Sequence, residues 1–241
     1  TNSTAGASNF DGSIQSTVRA SQSAGFSIIS YTGNGTAGST IGHGLNAVPE
    51  FVICKRRDSA EDWWVGHVSP GWAQGAYLQA PDAFASLSGF WNSTAPTSSA
   101  ITLGTYPNTN TGTYICYAFA SVAGYSLVSS YQANGSDDGT FVYCGFRPKF
   151  IIIKGADYST DWLMVDASRD PDNPATEPLF PNRSYYEGQA STSFKVDILS
   201  NGFKLRHNDS NAEGYNYITN PTHIFYAVAE NPFQANGGLA R

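Results

Sequence analysis

The sequence predicts an all-β protein: two related antiparallel β-sandwich units, jelly-roll-like, in tandem and packed rigidly together. Three observations predict this. Only 13% of residues are charged, while 24 glycines and 14% aromatics sit among many Ser, Thr and Asn; short strands, frequent turns and ring-filled cores have that composition. Apolar runs of strand length, bounded by turn residues, recur along the chain. The chain also repeats itself with a period of roughly a hundred residues, too long for a solenoid repeat and suited to a small domain.

Residues 1–24 are small and polar. They read as a connector whose second half adds an edge strand, before a first repeat at 25–122 and a second at 123–241. "FSIISY" (Phe26 to Tyr31) reads as a strand, and "TGNGTAGST" after it as a loop of residues that tolerate positive φ. "EFVICKRR" and "KFIIIK" read as buried core strands. A proline, Pro49 or Pro148, marks the start of each, where its missing N–H does no harm. "DSAED" and "DYSTD" then turn hairpins, and "WWVGHV" and "WLMVDA" return. "FKLRH" is a strand with "ITLG" as its copy. "TYICYAFA" and "HIFYAVA" close the units as strands, because β-branched and aromatic residues dominate them.

The two copies keep the same order of features. Gly25-Phe26-Ser27-Ile28-Ile29-Ser30 aligns with Gly124-Tyr125-Ser126-Leu127-Val128-Ser129, and Tyr31 with Tyr131 after one inserted residue. Asn34-Gly35 aligns with Asn134-Gly135, Gly44 with Gly145, Lys55 with Lys154, Asp58 with Asp157, Asp62 with Asp161 and Trp63 with Trp162. Alignment also assigns roles. Cys54 stands where the second copy has Ile153, and Cys116 where it has Phe225, so both thiols read as small buried hydrophobes. Three cysteines cannot all pair, and Cys54, Cys116 and Cys144 have no zinc-site spacing; the chain reads as one folded in a reducing cytoplasm.

Several function classes are excluded at this level. A net charge of −6, with no basic run longer than Lys55-Arg56-Arg57, argues against a nucleic-acid partner. No apolar run approaches the ~20 residues of a membrane helix, so no membrane insertion is expected. No Glu recurs as Glu in both copies. The recurring acids, Asp58/Asp157 and Asp62/Asp161, lie in hairpin loops, where turn chemistry or a bond to a neighbouring strand explains them. His43, His67, His207 and His223 form no HxH or HExxH, and no nucleophile elbow, P-loop or dinucleotide fingerprint occurs. The expectation is therefore no enzyme, no metal and no cofactor. Sequons at Asn2, Asn34, Asn92, Asn134, Asn182 and Asn208 are not read as glycosylation sites in so Asn-, Ser- and Thr-rich a chain.

The aromatics carry the binding expectation. Trp63 and Trp162 share a position and are expected to pack in each core. Trp64, Trp72 and Trp91 have no Trp counterpart, and neither does the diverged segment "RSYYEG" (Arg183 to Gly188). Trp64, Trp72, Trp91, Tyr185 and Tyr186 are the candidate ligand-binding residues. Sugar rings stack on exposed aromatic faces, with nearby Asn and Asp taking the hydroxyls.

The segments "GFSIISYTGNGTAG…GHGL", "FWNSTAPTSS", "GYSLVSSYQANGSDDGTFVYCGFRPKFIIIK", "DILSNGFKLR" and "YAVAENPF…AR" together resemble a tandem domain of unknown function that recurs in tailed-bacteriophage virion proteins. Such proteins are often labelled tail fibre or structural protein. The resemblance runs from about Asp11 to Arg241 and brings no catalytic residues with it. It implies a virion protein assembled in the host cytoplasm, a homotrimer or other homo-oligomer among other virion proteins, with a host-surface glycan as ligand. Its alternatives are a capsid decoration or head-fibre protein and a polysaccharide depolymerase.

Overall fold

A computed structural model of the chain describes residues 6–187, 194–207, 215–216 and 221–232. The fold is all-β, built of antiparallel sheets with one four-residue helix among the described residues. It divides into two compact units, Thr1–Leu78 with Ala85–Ser121 and Gln79–Phe84 with Val122–Arg241. The second unit thus takes a short segment from within the first repeat.

The first unit contains β1 (Ala7–Asn9), β2 (Ser16–Ser21), β3 (Phe26–Thr32), β4 (Thr40–Gly42), β5 (Phe51–Arg56), β6 (Trp63–His67), β7 (Gln74–Tyr77), β8 (Ala85–Ser86), helix α1 (Ser88–Trp91), β9 (Ala100–Thr102) and β10 (Thr113–Phe119). Its main sheet runs β1-β2-β3-β10-β5-β6-β7-β8, and β4 pairs β9 in a second layer. Within the expected connector, residues 6–24 do more than connect: β2 pairs along the length of β3, and β1 adds the edge strand beyond it. Strands β3 and β10 alternate between buried residues and half-buried or exposed ones, as a sheet with one face on a core requires. Ile29, Tyr31, Cys54, Trp64, Tyr114 and Cys116 of the main sheet join Ile41 and Ile101 of the small sheet, with Phe90 and Trp91 of α1, in one hydrophobic cluster.

The second unit contains β11 (Ser126–Gln132), β12 (Phe141–Tyr143), β13 (Pro148–Gly155), β14 (Leu163–Asp166), β15 (Val196–Leu199), β16 (Gly202–Leu205) and β17 (Thr222–Ala229). Its main sheet runs β11-β17-β13-β14, over a small sheet β12-β16-β15. This is the order β3-β10-β5-β6 again. The registers agree as well: Cys116 pairs Cys54, which pairs Trp64, and Phe225 pairs Ile153, which pairs Leu163. The second layers correspond too, with Ile41 opposite Ile101 and Val142 opposite Phe203. The aligned glycines Gly35/Gly135 and Gly44/Gly145 all have φ between 64° and 79°, a conformation that side chains disfavour.

One alignment of the sequence differs from the structure. Ala120 N–H donates to the carbonyl of Gly25, and the equivalent Ala229 donates to that of Tyr125, not of Gly124. The extra residue of the second copy therefore enters before β11, not within it. Because side chains alternate with period two, a one-residue slip exchanges faces: Ser129 takes the place of Ile29, and Leu127 that of Ser27.

Candidate functional site

The duplicated polar groups prove to be architectural. Buried Asn108 and Asn216 do the same work in their own copies. Asn108 Oδ1 accepts Asn34 N–H at 2.9 Å and its amide donates to Thr36 O at 2.8 Å; Asn216 Oδ1 accepts Asn134 N–H at 3.1 Å and donates to Ser136 O at 2.6 Å. Each clamps the Asn-Gly loop that follows β3 or β11. Tyr31 and Tyr131 donate their hydroxyls to Pro107 O and Tyr215 O, one residue before each clamp. Each phenol also stacks on the equivalent ring of the closing strand, Tyr114 at 5.1 Å or His223 at 4.9 Å. Asp58 and Asp157 accept the N–H of Thr113 and Thr222, the first residues of β10 and β17. The recurring acid thus bonds a neighbouring strand.

The potentially reactive groups are similarly engaged. All three cysteines are buried, and burial raises Cys116 well above its ordinary range and Cys144 to about 12, so these two are thiols and not thiolates. Tyr31 commits its proton to Pro107 O, so its 3.2 Å contact with Cys54 Sγ runs from thiol to phenol oxygen. His43 Nδ1 accepts Leu45 N–H while Nε2 donates to Thr97 O, which fixes a neutral tautomer; burial lowers its pKa. Among the described residues no group of three His, Cys, Asp or Glu converges as metal ligands, and no helix is long and apolar enough to cross a membrane.

The candidate aromatics separate into two sets. Trp64, Trp72 and Trp91 are 3%, 7% and 0% exposed and belong to the first core, where Trp72 meets Trp91 edge to face at 5.9 Å. A sealed indole has no face for a sugar, so these three fill the core. Trp162 is buried, whereas its counterpart Trp63 is half-buried on the outer face of its sheet with the Lys55 ammonium 5.9 Å above it. The neighbouring lysine differs as well, because Gln79–Phe84 covers Lys154. That segment packs in the second unit, with Phe84 N–H bonded to Ala156 O and Thr160 N–H to Pro81 O, and Lys154 beneath it is fully buried, donating to Pro81 O at 3.1 Å.

Tyr185 and Tyr186 are exposed, Tyr186 at 73%. They stand on a loop organised by Asp161. Its Oδ1 accepts from Asn182 Nδ2 at 2.6 Å and from Arg183 Nε at 2.8 Å, while Asn182 Oδ1 accepts Trp162 N–H. Arg183 lies 5.7 Å from the centre of the Tyr185 ring, whose edge meets Phe180. Next along the loop, Glu187 pairs with Arg169. The result is a hydrogen-bonded base carrying exposed phenols among hydrogen-bonding charges. Asn34 and Asn134 bond within their own loops; Asn2, Asn208 and Gly188 lie outside the described residues. Sequence reasoning did not single out Phe141 and Tyr143, 43% and 66% exposed. The available signal was alternation: in Phe-Val-Tyr only the middle residue aligns with a core position.

These features define a duplicated all-β protein whose recurrent polar groups maintain the scaffold; exposed aromatics lie on both copies, Phe10 and Tyr106 in the first and Phe141, Tyr143, Tyr185 and Tyr186 in the second. A family model for a domain of unknown function, DUF7483, matches residues 1–232, and the chain belongs to that family. No curated protein and no solved structure matches it.

Proposed function

We propose that the chain is a virion structural protein of a tailed bacteriophage, a tail-fibre or spike domain that binds a host-surface glycan and performs no catalysis. The observation that carries this reading is the Tyr185–Tyr186 loop. The first copy lacks it, and it offers aromatic faces beside Arg183, Asp161 and Glu187. The likeness of the sequence to phage virion proteins supplies the particle, and burial of the thiols suits assembly in a reducing host cytoplasm. The partners are other virion proteins and further copies of the chain, since fibres are closed symmetric assemblies. Immunogold labelling of purified particles tests the placement. Gold at the tail is expected; gold on the capsid reassigns the chain to a head fibre or decoration, and unlabelled particles overturn the virion reading.

A further inference from the structure

The small sheets of the two units differ most on their outward faces. In the first, Thr40, Gly42, Ala100 and Thr102 face out, and the N-terminal segment packs against the β4 residues. Ser13 and Thr40 exchange hydrogen bonds, Ile14 bridges to Ile41, and a Cβ on Gly42 would fall 1.6 Å from Asn9 Oδ1. The corresponding face in the second unit carries Phe141, Tyr143, Gly202 and Lys204. The core residues between them stay apolar, Ile41 in one copy and Val142 in the other. On the outward face of the strand, Thr and Gly have become two rings.

Those rings are not packing residues. Phe141 and Tyr143 point the same way two residues apart, about 7 Å along the strand, on the edge strand of their sheet. Tyr143 lies across from Gly202, so no side chain opposes its ring in the sheet. Beside Phe141 come Lys204 and then Asp197. Lys204 pairs with Asp138 at 2.6 Å, and Arg206 bridges Asp138 at 3.1 Å and Asp197 at 2.5 Å. The rim is thus two cations against two carboxylates, balanced and already paired. A rim of that kind has no attraction for a polyanion. Covering it with protein would desolvate four charges, whereas sugar hydroxyls can replace its water.

We propose that Phe141 and Tyr143 form a carbohydrate platform that takes consecutive rings of a neutral hexose polymer, with Lys204, Asp138 and Asp197 serving its hydroxyls. This deepens the host-glycan reading and adds a face distinct from the Tyr185–Tyr186 loop. The test is native gel electrophoresis of the full chain through gels holding soluble β-glucan, α-mannan or galactan. The wild type is compared with Phe141→Thr/Tyr143→Ser, which restores small side chains and whose melting curve checks the fold. The expected result is retardation of the wild type by at least one polymer, with affinity reduced roughly tenfold or more in the variant. Equal retardation of both proteins overturns the platform. So does a wild type that no neutral polymer retards while it still binds bacterial glycans on an array, a result that leaves the host-glycan reading standing. Binding to nothing in either format removes both. A variant that loses an oligomeric state by sedimentation makes the face a subunit contact and overturns the platform as well.

Discussion

Lys154 shows how one residue type diverges between copies. Its counterpart Lys55 sits half-buried over Trp63, but Gln79–Phe84 closes over Lys154, and burial pulls its pKa from 10.5 to about 8. Between those values the unfolded chain holds a proton that the folded chain has released, so this group makes stability rise as pH increases from 8 to 10.5. The full difference corresponds to about 3 kcal/mol. Urea unfolding of the wild type and Lys154→Met across that window should show the wild type gaining on the variant by this order; parallel curves would refute the buried ammonium. The clamps make a second prediction. Asn108→Ala leaves the N–H of Asn34 and the carbonyl of Thr36 without their buried partner, so it should cost about 2–4 kcal/mol, and Asn216→Ala a similar amount. Thermal melts check both, and a cost below about 1 kcal/mol would show that water replaces the amide. Neither residue stood out in the sequence. Both are short-range blanks whose meaning comes from a loop some seventy or eighty positions away. The Asp58/Asp157 pair was legible because the hairpin around it recurs.

At the scale of elements, repetition identified the strands well and their faces less well. The hairpins β5–β6 and β13–β14 and the closing strands β10 and β17 lie where apolar runs and turn residues placed them. The slip at β11 was not legible, because the matching string Gly-aromatic-Ser tracks local chemistry while hydrogen bonding to β17 sets the register. The tryptophans misled for a related reason. Lack of a Trp counterpart signalled something special, but the partner change lay elsewhere: Gly66 stands where the second copy has Val165. A Cβ on Gly66 would come within 2.5 Å of Trp91 Nε1 and 2.6 Å of the Trp72 ring. Glycine in β6 and two indoles are therefore one packing solution, and valine without them is the other. Gly66→Val should destabilise the chain by about 3 kcal/mol through overpacking. Calorimetry showing a melting temperature within a degree of wild type would mean that the indoles move aside freely.

Across the whole molecule, the polar groups that recur, Asn108/Asn216, Tyr31/Tyr131 and Asp58/Asp157, are hydrogen-bonded into the scaffold, and the aromatics proposed to bind ligand belong to the second copy. Tyr185 and Tyr186 were legible as candidates because their segment breaks the repeat; Phe141 and Tyr143 escaped because the alternation of a three-residue strand becomes readable only when Val142 is set against its counterpart Ile41. Exposed phenols on a loop fixed by Asp161 can be removed without loss of core, so Tyr185→Ser/Tyr186→Ser should melt like the wild type. The most direct measurement is binding of the wild-type chain and this double variant to an array of bacterial capsule and lipopolysaccharide glycans. The wild type should bind a defined subset, and the variant should lose most of that signal, roughly tenfold in affinity. A wild type that binds no glycan, or a variant that binds as well as the wild type, would contradict recognition through this surface.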